Sequence, residues 1–118
     1  MNLFELIAAD PACTALLGTS PTKFFEFGTA PALEVPPYAT WQIVSGEPFN
    51  VMEGTPSHDM VEAQIDVWAP TAAAARSTAR AIRRALDSFI QISHYATGFD
   101  PESELYRVVI RCDYMTEV

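Results

Sequence analysis

The feature of this sequence that most constrains its fold is a change of hydrophobic period at Pro70. Across 60–68, Val61, Ala63, Ile65 and Val67 alternate with Glu62, Gln64, Asp66 and Trp68, the period-two pattern of a strand with one buried and one mostly polar face. Beyond Pro70-Thr71 the period becomes helical. Ala75, Ala79, Ile82, Leu86 and Phe89 recur at spacings of 4, 3, 4 and 3, one buried stripe on a helix over 72–90. A strand that runs straight into an amphipathic helix predicts a helix packed on the apolar face of a sheet. The small alanines at its N-terminal end allow close approach.

The remaining elements supply that sheet. In 38–45, Ala39, Trp41 and Ile43 alternate with Tyr38, Thr40, Gln42 and Val44. In 105–115, Tyr106, Val108, Ile110, Cys112 and Tyr114 share one face, and 92–99 pairs with this strand across the turn Asp100-Pro101-Glu102-Ser103. The N-terminus reads as a broken helix. Asn2 with Glu5 forms a capping box, Leu3, Leu6 and Ile7 make a stripe, and Asp10-Pro11 caps a second start that ends at Gly18. Residues 19–37 hold Pro21, Pro31, Pro36 and Pro37 around a short strand at Phe24–Phe27. The expectation is one α+β domain over 1–118: an antiparallel sheet with an N-terminal helix and one long helix packed on one face.

Charge is distributed unevenly. The net charge is −8, and residues 1–75 carry one cation, Lys23, against nine acids, whereas 76–118 carry six arginines against six acids. An acidic chain without a lysine cluster is a poor nucleic-acid binder, because that affinity comes largely from phosphate neutralisation. Arg76, Arg80, Arg83 and Arg84 are either the solvated face of the helix or a surface that meets acids of a neighbouring copy. No secretory signal is legible, and stretches without a charged residue reach only 12 positions, too few to span a membrane. Cys13 and Cys112 belong to no metal or redox motif and read as small buried hydrophobes of a reducing cytosol.

Enzyme chemistry finds no constellation. His58 and His94 lack partners at metal-ligand spacing, and no nucleophile elbow, phosphate loop or dinucleotide fingerprint is present. No cofactor, metal or catalytic residue is expected. Two other features invite a partner. The connection 46–59 is long for its task and carries Phe49, Val51 and Met52 beside Glu47 and Glu53, an apolar patch rimmed by acids. It is expected to be the least ordered internal segment and to order against a partner, unless it merely connects. Trp68 sits on the polar face of its strand, where it either covers the sheet edge near Pro70 or meets a partner subunit.

Several of these segments, in this order, resemble a known family. They are Ala15-Leu16-Leu17-Gly18, Pro37 through Gly46 (PYATWQIVSG), Ala63-Gln64-Ile65-Asp66-Val67-Trp68-Ala69, Arg83 with Ala85-Leu86-Asp87, and Leu105-Tyr106-Arg107-Val108. In order, spacing and total length the chain resembles the phage tail-completion proteins, similar to the tail terminators of long-tailed phages such as lambda. The segment between Leu17 and Pro37 departs from the pattern, being longer and richer in proline. The resemblance implies a structural virion protein that is not an enzyme and that assembles in the host cytoplasm. As a ring of six copies, monomeric when dilute, it stops growth of the tail tube and offers the surface that joins the head. Its implied partners are itself, the tail-tube protein and the head–tail connector, with no membrane and no sequence-specific nucleic acid. The alternatives are a head-side neck or connector subunit of the same particle, and a small cytosolic peptide- or ligand-binding module.

Overall fold

Asp10 decides where the first helix stops. Its backbone is extended and its carboxylate accepts a hydrogen bond from the Cys13 N–H at 3.0 Å, so it caps a new helix with Pro11 in the first turn. The chain therefore starts as two short helices, α1 (Leu3–Ala9) and α2 (Pro11–Leu17). Gly18 ends α2 at a φ of 85°, its N–H donating to the Thr14 carbonyl at 2.8 Å, a conformation that a side chain disfavours. The computed structural model describes residues 3–19, 21–26, 35–48 and 58–117. Asn2, the expected first cap, lies outside them.

Five strands follow: β1 (Phe24–Glu26), β2 (Tyr38–Pro48), β3 (His58–Ala69), β4 (Gln91–Asp100) and β5 (Leu105–Glu117), with α3 (Ala72–Leu86) between β3 and β4. They form one sheet in the order β1-β2-β3-β5-β4. The β2–β3, β3–β5 and β4–β5 pairs are antiparallel, as expected, but β1 runs parallel to β2 with Phe24 opposite Ala39. The sheet is thus mixed at one edge. Parallel pairing needs a connection of roughly a dozen residues, and the proline-rich stretch between Glu26 and Tyr38 is long enough to return the chain to the same end.

The elements differ from their expected spans where backbone pairing, not side-chain pattern, decides. Strand β2 continues through Gly46 and Pro48, opposite Val61 and Asp59, after a bulge between Ile43 and Ser45. The expected connection 46–59 is therefore shorter at both ends, and 49–57 lies outside the described residues. Pro48 is tolerated because, beyond Trp41, β2 has no outer neighbour among the described residues.

Helix α3 is capped by Thr71, whose hydroxyl accepts from the Ala74 N–H at 3.1 Å. It packs on β3 and β5 and against α1 and α2. Ala75, Ala79, Ile82 and Leu86 are buried as expected, but Phe89 is 52% exposed. The helix stops one turn early, because the N–H groups of Phe89 and Ile90 both turn back to the Leu86 carbonyl. Phe89 is carried out of the stripe by that turn. The core lies between the three helices and one sheet face, where Phe24, Ala39, Ala63, Ile65, Val67, Val108, Ile110 and Cys112 meet Leu3, Ile7, Cys13, Leu17 and the α3 stripe.

Both cysteines are free and buried in this core. Burial pushes the Cys13 thiol up from 9.0 to about 12, helped by the Asp10 carboxylate, and pushes Cys112 up to about 11. Below pH 9 both the folded and the unfolded thiols are protonated, and the stabilisation is complete. Between pH 9 and the raised values of about 11 and 12 only the folded chain keeps its protons, so stability falls as pH rises. The urea midpoint should drop between pH 8.5 and 11, and drop less in a Cys13→Ala/Cys112→Ala chain. Equal drops would show that the thiols are not the groups involved.

Candidate assembly surfaces

The arginines of α3 follow from its helical geometry. With Ala75, Ala79, Ile82 and Leu86 on the sheet, one flank (Ala74, Thr78, Ala81 and Ala85) packs toward α1 and α2. Arg76 and Arg83, seven residues apart, stand on the opposite flank, with Arg80 and Arg84 further round. All four are exposed, and among the described residues none of them forms an ion pair or hydrogen bond. Unpaired cations on a chain of net charge −8 leave strong attraction available to an acidic neighbour. Arg80 and Arg84 line, with Ser77, Asp10 and Ala12, a groove of about 430 Å³ beside the start of α2.

Among the described residues no helix covers the second sheet face, and there the polar residues of β3 and β5 form a ladder. Arg111 donates from Nε to the Gln64 side-chain oxygen at 3.1 Å and pairs with Glu62 at 3.6 Å. Gln64 donates to Asp66 at 3.1 Å, and Asp66 pairs with Arg107 at 3.2 Å. Trp68 ends the ladder with the Arg107 guanidinium 5.2 Å from its ring centroid, a cation–π contact. Arg107 Nε is buried without a hydrogen-bond partner among the described residues, so the indole and Asp66 hold this guanidinium. Strand β3 is interior to the sheet. Trp68 is half-buried at the Pro70 end of this interior strand.

The remaining expected partner residues are not brought to these surfaces by anything described. Glu47 lies in β2, near its end, and Phe49, Val51 and Met52 lie outside the described residues. The structure adds residues that the sequence pattern did not single out. Tyr95 and Phe99 of β4 are opposite Ile110 and Tyr106 and so share the helix-side face, yet they are 40% and 52% exposed. Helix α3 packs over β3 and β5 and leaves β4 open. Their alternation with Ala96 and Gly98 was visible, but not which strand the helix would leave uncovered.

Among the described residues no group of three or more His, Cys, Asp or Glu could hold a metal ion, and no helix is long and apolar enough to cross a membrane. Among the described residues the molecule presents an unpaired arginine flank, an uncovered aromatic strand and an open polar sheet face. The model of the family "Tail completion protein gp17" matches residues 1–117. The chain belongs to this family of tail-completion proteins. Membership makes it a structural component of a phage-type virion, part of the tail. Among curated proteins there is no significant match. Among solved structures, 21 chains match. One is a chain from the "Virion of native gene transfer agent (GTA) particle", at TM-score 0.72 and 14% identity, covering 98% of this tail-completion chain and 92% of the other. At that identity the likeness establishes a shared fold.

Proposed function

We propose that this chain is the tail-terminating subunit itself, a single domain that closes into a ring at the head-proximal end of the tail. There it stops growth of the tail tube and offers the surface to which the head joins. The observation that carries this reading is the family match over residues 1–117, supported by the unpaired arginines exposed on α3. The ring has six copies by family resemblance, and its other partners are the tail-tube protein and the head–tail connector. Assembly takes place in the host cytoplasm. Identical subunits in a ring meet through two different surfaces, and the contact must close. The exposed arginines of α3 serve that contact, and the segment 46–59, with Glu47, Phe49, Val51 and Met52 in its sequence, serves the tail tube or the connector. Trp68 is held by Arg107 on a face left free for a neighbour.

The test is to silence the gene in a producing strain and image the particles. The expected result is tail tubes of abnormal, variable length beside separate, filled heads. Tails of normal length and normal ends beside unjoined heads would instead assign the chain to the head-side neck. Intact infectious particles would refute both.

A further inference from the structure

The cations of this chain divide into paired and unpaired. Arg107 and Arg111 pair with Asp66 and Glu62 on the open sheet face, and Lys23 donates to the Val35 carbonyl at 2.7 Å. Arg80 and Arg84, without partners among the described residues, stand one helical turn apart on the wall of the groove of about 430 Å³ beside the start of α2. Three acids come near them. Asp10 lines the groove but caps α2 through the Cys13 N–H, and Glu5 on the neighbouring α1 is already engaged. Asp87 follows Arg84 at the end of α3 and is offset by Arg83. The groove keeps two guanidinium forks open to an acid.

The acids divide in the same way. Among those whose side chains are described, Glu102 and Glu104 are exposed together on the β4–β5 turn without an ion pair or side-chain hydrogen bond. Asp87 and Asp113, also without one, stand singly. Asp100 beside them is held by the Ser103 hydroxyl and the Glu102 N–H. The cations at this end are Arg107, bound to Asp66, and Arg76, which pairs with neither glutamate. Glu104 also holds a φ of 58°, a conformation that glycine or asparagine adopts at lower cost. The turn lies where α3 begins, and α3 runs from Ala69 at that end toward Gln91 at the other. Arg80 and Arg84 are roughly 12 and 18 Å along the helix from Ala72, out of reach of their own turn.

Given the ring reading above, on which this rests, we infer that the β4–β5 turn of one copy docks in the Arg80–Arg84 groove of the next, Glu102 and Glu104 accepting hydrogen bonds from the two guanidiniums. A second copy is the occupant because the chain itself supplies both halves of the contact, unpaired arginines in a groove and unpaired glutamates on a projecting turn. The planar fork of arginine matches a carboxylate in geometry as well as charge. The two sites lie at different places on the molecule, so copies join through unlike surfaces, as a ring requires. Groove against groove would oppose cations and turn against turn would oppose acids, which disfavours the symmetric pairing.

Charge exchange and cross-linking test this contact on the purified chain, concentrated alone and on isolated tail tubes. Arg80→Glu/Arg84→Glu and Glu102→Arg/Glu104→Arg should each weaken association by about ten-fold or more, with unfolding midpoints close to that of the parent. The chain that carries all four changes should associate again. For cross-linking, Ser77→Cys lines the groove and Pro101→Cys lies on the turn, both exposed, while the native thiols are buried. With a short bis-maleimide the double variant should give a ladder that closes at the ring. A mixture of the two single variants should give dimers, and each single variant alone should not. Rings by native mass spectrometry without the 77–101 link, or no recovery in the fourfold variant, would overturn this joint and leave the ring standing. So would rings that survive the arginine reversal while tube or head attachment is lost, which would give the groove to another partner. No oligomer under either condition would overturn the ring as well.

Discussion

Leu86→Ala should lower stability by about 2–5 kcal/mol, the range for removing a fully buried leucine side chain from a core that relaxes only in part. Leu86 has no exposed surface and closes the C-terminal end of the α3 stripe against the sheet. The cost combines lost burial with the cavity left beneath the helix. Phe89→Ala, at a position more than half exposed, should change stability by about 1 kcal/mol or less. The contrast between two large apolar residues three positions apart is the diagnostic result. Urea unfolding measures both, the midpoint moving at constant m-value. Equal losses would mean that the helix continues past Leu86, and no loss at Leu86 would mean that the stripe faces elsewhere.

Arg76→Glu/Arg80→Glu/Arg83→Glu should separate folding from assembly. The three side chains are exposed and contribute no ion pair among the described residues, so the unfolding midpoint should stay close to that of the parent. Supplied in trans to particles that lack the native chain, the triple variant should fail to terminate tails and join heads. Reversal replaces attraction toward an acidic neighbour with repulsion, and like-charge juxtaposition across an interface costs several kcal/mol. The measurement is tail length and head attachment by electron microscopy. Tails of normal length joined to heads would remove the arginine face from the assembly contact, whatever the ring does.

The polar ladder on the open face has smaller expected effects. Arg107 and Arg111 remain partly exposed, where each ion pair is worth about 1 kcal/mol or less. The ladder orients Trp68 and sets a fixed charge pattern on that face. The hairpin that follows α3 is closed locally. Asp100 accepts from the Glu102 N–H at 3.3 Å and from the Ser103 hydroxyl at 2.7 Å. The Ser103 hydrogen bond holds the Asp100 carboxyl below its ordinary range.

The sequence by itself determined whatever depends on neighbours a few residues away. Alternation at Val61, Ala63, Ile65 and Val67 defined β3 and its buried face, because period two can bury only one side of a strand. The 4, 3 spacing from Ala75 to Leu86 defined the α3 stripe, Asp10-Pro11 broke the first helix, and Asp100-Pro101 turned the last hairpin. The order of segments carried the family. Tertiary structure decided what depends on partners distant in the chain. The parallel pairing of Phe24–Glu26 with Ala39–Trp41 has no side-chain signature in so short a strand. The ends of β2 and β3 are set by backbone ladders that ignore hydropathy, so Gly46 and Pro48 read as loop and pair as strand. Phe89 fitted the stripe until the turn onto Leu86 removed it. The uncovered flank at Tyr95 and Phe99 is a matter of width. The helices pack over β1, β3 and β5, and no local pattern records that β4 is among the strands they leave.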